Sequence, residues 1–398
     1  MKILVISGTF PPRKFGGVTN ISYKTARKLA ELGHEVTVYT TDVGNTQSSR
    51  LDVQRGKMVI DGVKVYYFRN ISNRLAFKHR LFLPVGMTSF IRKNITNFDI
   101  IHIHDYRSLL NVIIHHYSKK YGVPYVIQSH GSLPRMGKQG LKRLYDWVWG
   151  NKILKNASKV IALTEVEAEQ YKNMGVDGNK IEIVPNGIDL AEYDDLPEKG
   201  RFRRKYNIKD NEKIILYLSR IHKIKGLDLL VNAFADLIKE VDNVRLVIVG
   251  PDDGFLSNLK SQIEKLGIGD KVLLTGALYD RDKLEAYIDA DVYVLPSRYE
   301  AFPNTVLEAF ACGTPVIVTD RCSIADIVRD KVGFVVKFDE NQLANAILKL
   351  LRDVELSKEF GKRGRKLVEE KLNWDRIVED LVKIYVSVLR KTNKMGSQ

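Results

Sequence analysis

The sequence predicts an α/β protein built from two doubly wound domains in series. Short apolar runs of strand length alternate with stretches of helical periodicity along the whole chain. The alternation restarts near Ile214 after a charged stretch, Ile188 to Asp210, which carries Pro197 and Gly200 and has the composition of a linker. A length of 398 residues holds two domains of ordinary size.

In the first half, Ile3–Ser7, Glu35–Thr40, Ile100–His104, Tyr125–Ser129, Val160–Leu163 and Ile181–Val184 read as strands. Helical stretches lie between several of them, for example Asn20–Leu32 ending at Gly33. Strand–helix–strand order implies a parallel sheet with right-handed crossovers. In the second half the strands are Ile214–Ser219, Val244–Val249, Val272–Thr275, Val292–Leu295, Val316–Thr319 and Val332–Val336. The helices between them are Leu227–Glu240, Leu256–Leu266, Leu284–Asp289 and Asn304–Cys312. The C-terminal region, Ser357 to Lys391, is helical and highly charged. Domains over residues 1–190 and 191–374 follow, and the cleft between two such domains is the default ligand site.

Hydrophobic content of 44% with 28% charged residues belongs to a soluble globular protein. No apolar run reaches the ~18 residues of a transmembrane helix. The start, M-K-I-L-V-I-S-G, reads as a first buried strand rather than a signal peptide. Two cysteines, Cys312 and Cys322, give neither a disulfide scaffold nor a metal framework, so a cytoplasmic setting is expected.

The net charge of +15 is unevenly placed: residues 1–190 carry 28 Lys and Arg against 14 Asp and Glu, the remainder 35 against 34. Between Asp61 and Asp99 stand Lys64, Arg69, Arg74, Lys78, Arg80, Arg92 and Lys93 with no acidic residue, and Phe77, Leu81, Phe82 and Leu83 are mixed among them. A second basic stretch sets Arg135, Lys138, Lys142 and Arg143 near Trp147 and Trp149. Such a surface attracts nucleic acid, acidic lipid or phosphorylated substrate, or simply solubilises the chain. Basic residues beside Phe, Leu and Trp favour peripheral contact with an anionic membrane. Nucleic acid is not expected, because the signatures of its common modules are missing.

The stretch Glu300 to Thr319, E-A-F-P-N-T-V-L-E-A-F-A-C-G-T-P-V-I-V-T, places Glu300 and Glu308 eight residues apart. The strand-like run Asp291-Val-Tyr-Val-Leu-Pro-Ser297 precedes it. Pro303 suits the first turn of the intervening helix and Gly313 its C-terminal cap. Glu300 is then a loop residue above a strand end, and Glu308 lies inside the helix among apolar neighbours, where a buried carboxylate needs hydrogen bonds. Eight-residue spacing alone is common in a chain with 48 acidic residues; the βαβ setting gives it meaning, since open α/β sheets bind ligands beyond the carboxyl ends of their strands.

Further candidates sit at other strand ends. In Phe10-Pro-Pro-Arg-Lys-Phe-Gly-Gly-Val18, Gly16 and Gly17 allow close backbone approach before a helix N-terminus, or make a simple tight turn. In Ser219-Arg-Ile-His-Lys-Ile-Lys-Gly226, Arg220 and Lys225 suit a diphosphate, Arg by its fork and Lys as a point charge, or else are two solvated cations. His130 in Ser129-His-Gly-Ser-Leu133 is a ligand contact or a structural histidine. His104 and Asp105 end the run Ile101-His-Ile-His-Asp105. His102 and His104 share a strand face without an evident third ligand, which argues against a metal. The Asp pairs at 194–195 and 252–253 read as solvated.

In order and spacing these motifs resemble the family 4 retaining glycosyltransferases, which have the GT-B fold: two Rossmann-like domains facing a central cleft. The carrying residues are the Glu300–Glu308 segment, the Arg220–Lys225–Gly226 pattern with Ser219 in place of Gly, His130-Gly131, Pro185-Asn186-Gly187-Ile188-Asp189, and Pro11-Pro12 followed by Gly16-Gly17. The resemblance implies transfer of a hexosyl unit, mannosyl or glucosyl, from a UDP- or GDP-sugar to a saccharide or polyprenyl-linked acceptor in surface polysaccharide or glycoconjugate synthesis, with no cofactor and no metal. It implies catalytic roles for His130, Arg220, Lys225 and Glu300. Donor contacts are implied for Gly16, Gly17, Gly250, Leu278, Asn304, Thr305 and Glu308, the last binding the ribose, and His104 and Asp105 fall on the acceptor side. It assigns acceptor binding to residues 1–190, donor binding to 191–374, and a terminal helix, about 375–392, that returns to the first domain, where Trp374, Ile377, Leu381 and Ile384 provide a docking stripe. The chain reads E-A-F-P where the family often reads E-G-F-G or E-P-F-G, and Pro303 removes one backbone N–H. The alternatives are a GT-B phosphorylase or nucleotide-sugar epimerase, and a basic membrane- or nucleic-acid-binding protein with an inactive cleft.

Overall fold

A computed structural model describes the chain apart from residues 14, 15, 47, 54–56, 80, 136, 138, 397 and 398 and the side chains of 78 and 393–396. Lys14, Phe15, Arg80 and Lys138, and the side chain of Lys78, therefore lie outside the described residues. The chain divides into two compact units, Met1–Asn186 with Trp374–Gln398, and Gly187–Asn373.

The first unit is built on a sheet of eight strands: β1 (Lys2–Ile6), β2 (Glu35–Thr41), β3 (Lys57–Ile60), β4 (Val63–Phe68), β5 (Ile100–His104), β6 (Tyr125–Gln128), β7 (Lys159–Ala162) and β8 (Ile181–Ile183). Their order is β3-β4-β2-β1-β5-β6-β7-β8, and every pairing is parallel except β3 with β4. The β3–β4 hairpin was not among the expected strands. Asp61 and Gly62, both at positive φ (46° and 79°), form its two-residue turn, the Asp-Gly chemistry that the twist of paired strands favours. Its alternating half-exposed pattern lacks the continuous apolar run that marks the central strands.

The second unit carries β9 (Lys213–Leu218), β10 (Val244–Val249), β11 (Val272–Gly276), β12 (Val292–Leu295), β13 (Val316–Thr319) and β14 (Gly333–Val336). The order β11-β10-β9-β12-β13-β14 is parallel throughout. In both sheets the order reverses beside the first strand, between β1 and β5 and between β9 and β12. Loops leaving those neighbours diverge, which opens a crevice at the carboxyl ends.

Two expectations change. The stretch Ile188–Asp210 is not a free linker but part of the second unit's core. Tyr193, Phe202 and Arg203 are buried, and the Arg203 guanidinium donates to the carbonyl oxygens of Lys209 (3.1 Å) and Asp289 (3.2 Å) and to the Asp291 carboxylate (3.3 Å). In the basic stretch after Asp61, Phe82 is buried with its ring against Gly8, and Phe77 lies under the Arg13 guanidinium, so those rings serve packing rather than a mixed surface. The terminal helix Trp374–Gly396 packs in the first unit: Trp374, Ile377, Leu381 and Ile384 are buried in one cluster with Ile3, Val5 and Val36 of β1 and β2.

Candidate active site

The second unit's strand ends are drawn together backbone to backbone. A Cβ on Gly250, just after β10, would lie 1.8 Å from the Ser219 carbonyl oxygen; one on Gly226 would lie 1.9 Å from that of Pro296. Only glycine allows the loops after β9, β10 and β12 to approach this closely. The Gly250 N–H also donates to the Gly276 carbonyl (2.9 Å), tying in the loop that carries half-buried Leu278.

Between these glycines sits the charged pair. Lys225 closes a short turn after β9, and its side chain is 9% exposed. Its ammonium lies 2.5 Å from Glu300 Oε2, and the Ser297 hydroxyl lies 3.5 Å from the same oxygen. Glu300 is itself held by its main chain: it forms a parallel bridge with Cys322, and its carbonyl accepts from the Ser323 N–H at 2.8 Å. Arg220 does not join this pair. Its guanidinium is bound to Asp253 and is 60% exposed. The Asp pair at 252–253 is correspondingly not simply solvated, since Asp252 accepts from the N–H groups of Gly254, Phe255 and Leu256 (2.9–3.2 Å) while Asp253 holds Arg220.

The helix Asn304–Ala311 follows, with Pro303 at its N-cap, one position earlier than expected. It ends as its sequence suggests: Gly313 takes φ 71°, its N–H donates to the Phe310 carbonyl (2.9 Å), and the Thr314 N–H donates to that of Ala309 (2.9 Å). Glu308 finds the partners its burial requires. Lys283 donates to Oε1 at 2.9 Å and the Tyr287 hydroxyl to Oε2 at 3.1 Å. The Tyr293 hydroxyl donates to Thr305 Oγ1 (2.7 Å), fixing the first turn of the helix, which begins at Asn304, to β12.

In the first unit the ends of β5 and β6 bring His104 and His130 together, Nδ1 to Nε2, at 2.8 Å. His102 stacks on His104 with ring centroids 4.1 Å apart, and its Nδ1 meets the Tyr385 hydroxyl at 2.7 Å. Burial is the chief cause that holds all three imidazoles neutral: His130 is pushed down to about 4, His102 to about 3, and His104 well below the ordinary histidine range. Asp105 and His130 both take positive φ (77° and 51°), conformations that the surrounding loop has to hold. Glu167 does the holding beside His130. Its buried carboxylate accepts from the Ser129 hydroxyl (2.6 Å), the Gly131 N–H (2.6 Å) and the Leu163 N–H (2.8 Å). Gly16 caps the helix Gly17–Glu31 at φ 129°, and a Cβ on Gly17 would meet nothing within 4 Å. Among the described residues, no group of three or more His, Cys, Asp or Glu side chains is arranged to hold a metal ion.

Comparison with known proteins agrees with both halves. The profile described as Glycosyltransferase Family 4 matches residues 15–192, and that of Glycosyl transferases group 1 matches residues 198–367. The alpha-monoglucosyldiacylglycerol synthase of Streptococcus pneumoniae is 30% identical over 372 residues, which cover 88% of this chain and 78% of that protein. The chain belongs to this glycosyltransferase family. An uncharacterized glycosyltransferase of Methanocaldococcus jannaschii is 28% identical over 97% of this chain and 98% of its own. A crystal structure of Anabaena HepE in complex with UDP superposes with a TM-score of 0.78 over 97% of this chain and 100% of that one, at 19% identity, which places the glycosyltransferase in the same GT-B fold. The enzyme transfers a sugar from a nucleotide-diphosphate donor to an acceptor.

Several residues that shape the glycosyltransferase's two strand-end clusters escaped the sequence reading. Glu167 had a local signal, since Thr164-Glu165-Val166-Glu167 has the form of a capping box, and the Thr164 hydroxyl does accept from the Glu167 N–H (3.3 Å). Its carboxylate turns to the His130 loop instead, a contact across 36 residues. Lys283, Tyr287 and Tyr385 gave no such signal, because their partners lie 25, 21 and 283 residues away.

Proposed function

We propose that this glycosyltransferase moves a hexosyl unit with retention at the anomeric carbon, from a uridine or guanosine diphosphate sugar to a saccharide or lipid-linked acceptor. The observation that carries this reading is the Lys225–Glu300 pair, set at the strand-order reversal of the second unit with Glu308 one helix away. In this reading Lys225 and Arg220 take up negative charge on the departing diphosphate. Glu300 and His130 hold the sugar, and Glu308 accepts the ribose hydroxyls while Lys283 and Tyr287 keep its carboxylate oriented. Gly16, Gly17, Gly250, Leu278, Asn304 and Thr305 line the donor; His104 and Asp105 serve the acceptor side. The bond from the anomeric carbon to the phosphate oxygen breaks as the acceptor oxygen bonds to the same carbon. The acceptor's proton passes to the leaving phosphate, so no covalent nucleophile is needed. Similar proteins support a hexose donor and a lipid acceptor: an alpha-monoglucosyldiacylglycerol synthase among sequences, and HepE in complex with UDP and glucose among structures. A peripheral position on an anionic membrane fits the basic first unit.

Titrating UDP-glucose and GDP-mannose against melting temperature tests the donor half, because a ligand that binds only the folded state raises it. One of the two is expected to stabilise the protein, and Glu308→Gln to weaken that binding by about tenfold, the loss of roughly one charge-assisted hydrogen bond. Equal binding by wild type and Glu308→Gln would sink the ribose assignment.

A further inference from the structure

The first unit displays a basic, apolar face that the transfer chemistry does not use. Helix Gln139–Tyr145 runs on through Asp146–Gly150 into helix Asn151–Asn156. Leu141 (67% exposed), Leu144 (55%) and Trp147 (75%) follow one another at three-residue spacing, which lays them along one side of the segment. Single exposed apolar residues are ordinary, but a stripe ending in a tryptophan marks a surface that something covers. The segment is held firmly beneath. Buried Asp146 receives Arg107 at 2.9 Å, Arg135 at 2.8 Å and the Tyr106 hydroxyl at 3.0 Å. Asp146 is also the only acidic residue between Asp105 and Glu165, so the charges this region shows to solvent, Lys142, Arg143, Lys152 and Lys155 among them, are all positive. Arg143 also lines a cavity of about 580 Å³, together with Arg135, Gln139, Leu133 and Met174.

We infer that the stripe Leu141–Leu144–Trp147 inserts into the headgroup layer of an anionic membrane, with the adjoining Arg143–Arg135 cavity receiving the phosphate of a lipid headgroup. The charge pattern selects lipid over a protein partner. Tryptophan and leucine enter the headgroup boundary while cations beside them meet anionic phosphates. The exposed carboxylates Glu165 and Glu169 belong to the helix Glu165–Asn173, whose Gln170 and Asn173 also line the cavity, and not to the segment that carries the stripe. This surface deepens the lipid-linked acceptor reading and rests on it, but it does not depend on any donor-site assignment.

The test is sedimentation of the full chain with vesicles of phosphatidylglycerol and phosphatidylcholine, against phosphatidylcholine alone. It is run in about 0.1 M and about 1 M salt, between which the screening length falls from about 10 Å to about 3 Å. Wild type is expected to bind the anionic vesicles at low salt, with a blue shift of tryptophan emission, and to release at high salt. The double variant Leu144→Glu/Trp147→Glu should lose at least about tenfold in partitioning. Arg143→Ala should lose about fivefold on anionic vesicles and nothing on neutral ones. All the altered side chains are exposed or border solvent, and melting temperatures report that the variants fold. Binding of wild type no better to anionic than to neutral vesicles, or undiminished binding by the double variant, overturns the inference, and an unaffected Arg143→Ala overturns the cavity's part in it. Capture by a protein alone, with no vesicle binding, also overturns it. Donor binding measured without vesicles reports separately on the transfer reading.

Discussion

Removing the Lys225–Glu300 pair one member at a time separates its structural role from its proposed chemical one. The ammonium and carboxylate are 2.5 Å apart, with side chains only 9% and 19% exposed. Charge centres ~4 Å apart attract by about 4 kcal/mol at an effective dielectric constant of ~20. Desolvation of both groups offsets about half of that, leaving a coupling of about 2 kcal/mol. Lys225→Met strands a half-sheltered carboxylate whose remaining side-chain neighbour is the Ser297 hydroxyl at 3.5 Å, and Glu300→Gln strands the more deeply buried ammonium. Each single change should lower unfolding free energy by about 2 kcal/mol, and the double change by about 2 rather than 4 kcal/mol, because it leaves no lone charge. Denaturant melts of the four proteins give that cycle. Turnover should behave differently. If Lys225 stabilises the departing diphosphate, Lys225→Met loses about 10²–10³ in kcat and Glu300→Gln restores none of it. Single variants as stable as wild type would refute the structural coupling, and a double variant that regained transfer would refute the catalytic role.

Two further outcomes follow from the packing. Gly226→Ala puts a methyl group 1.9 Å from the Pro296 carbonyl oxygen at φ 71°, and should cost about 2–4 kcal/mol in a denaturant melt, with donor binding weakened in step as the β9 and β12 loops separate. Acid should destabilise the first unit through its histidines. The unfolded chain takes up protons below about pH 6.5, while His130 in the fold resists until about 4 and His102 until about 3. The unfolded state thus binds more protons in that window, and stability must fall as pH drops from 6.5 towards 4. Asp105 is the charged group that opposes this at His130, and His104 stays neutral beside both rings. Denaturant midpoints across that range should show the slope, and His130→Asn should make it shallower; a flat profile in wild type contradicts buried neutral imidazoles.

What could be read from the chain was what a contiguous stretch encodes. A strand such as Val292–Leu295 is buried along its whole length and announces itself as an unbroken apolar run. Glu300 and Glu308 could be placed because strand, loop, helix start and glycine stop lie within thirty residues. The misreading of Ile188–Asp210 has the opposite cause. Its charges looked like those of a solvated linker, yet the Arg203 guanidinium is paired with the Asp291 carboxylate, 88 residues away, and its backbone N–H donates to the Asp289 carboxylate, 86 residues away; local composition cannot show that a charge has been neutralised at such a distance. Lys283 and Tyr385 were silent for the same reason, and Glu167 showed only its local capping signal, not its distant partner. The β3–β4 hairpin was legible in Asp61-Gly62 and was lost because its strands alternate rather than run apolar.

The pairing of four cations in the second unit bears on how a diphosphate would be received there. Lys225 has Glu300, Arg220 has Asp253, Lys283 has Glu308 and Arg298 has Asp228, so none of these four is a bare positive charge. An incoming anion must compete with a carboxylate or add to an existing pair, and the costs are unequal. The Arg220–Asp253 pair is 60% and 42% exposed, a setting in which ion pairs are worth about 0–1 kcal/mol, so exchanging Asp253 for a phosphate is nearly free. Lys225 is sheltered, and taking Glu300 from it costs about 2 kcal/mol by the cycle above. In the proposed reaction Arg220 is therefore the cation that changes partner when the donor binds, and Lys225 keeps Glu300 and adds the phosphate as a further acceptor for its remaining N–H groups. That division predicts different failures: Arg220→Ala should raise the donor KM by more than it lowers kcat, Lys225→Met the reverse, and the opposite pattern in a steady-state comparison would place the mobile cation at Lys225.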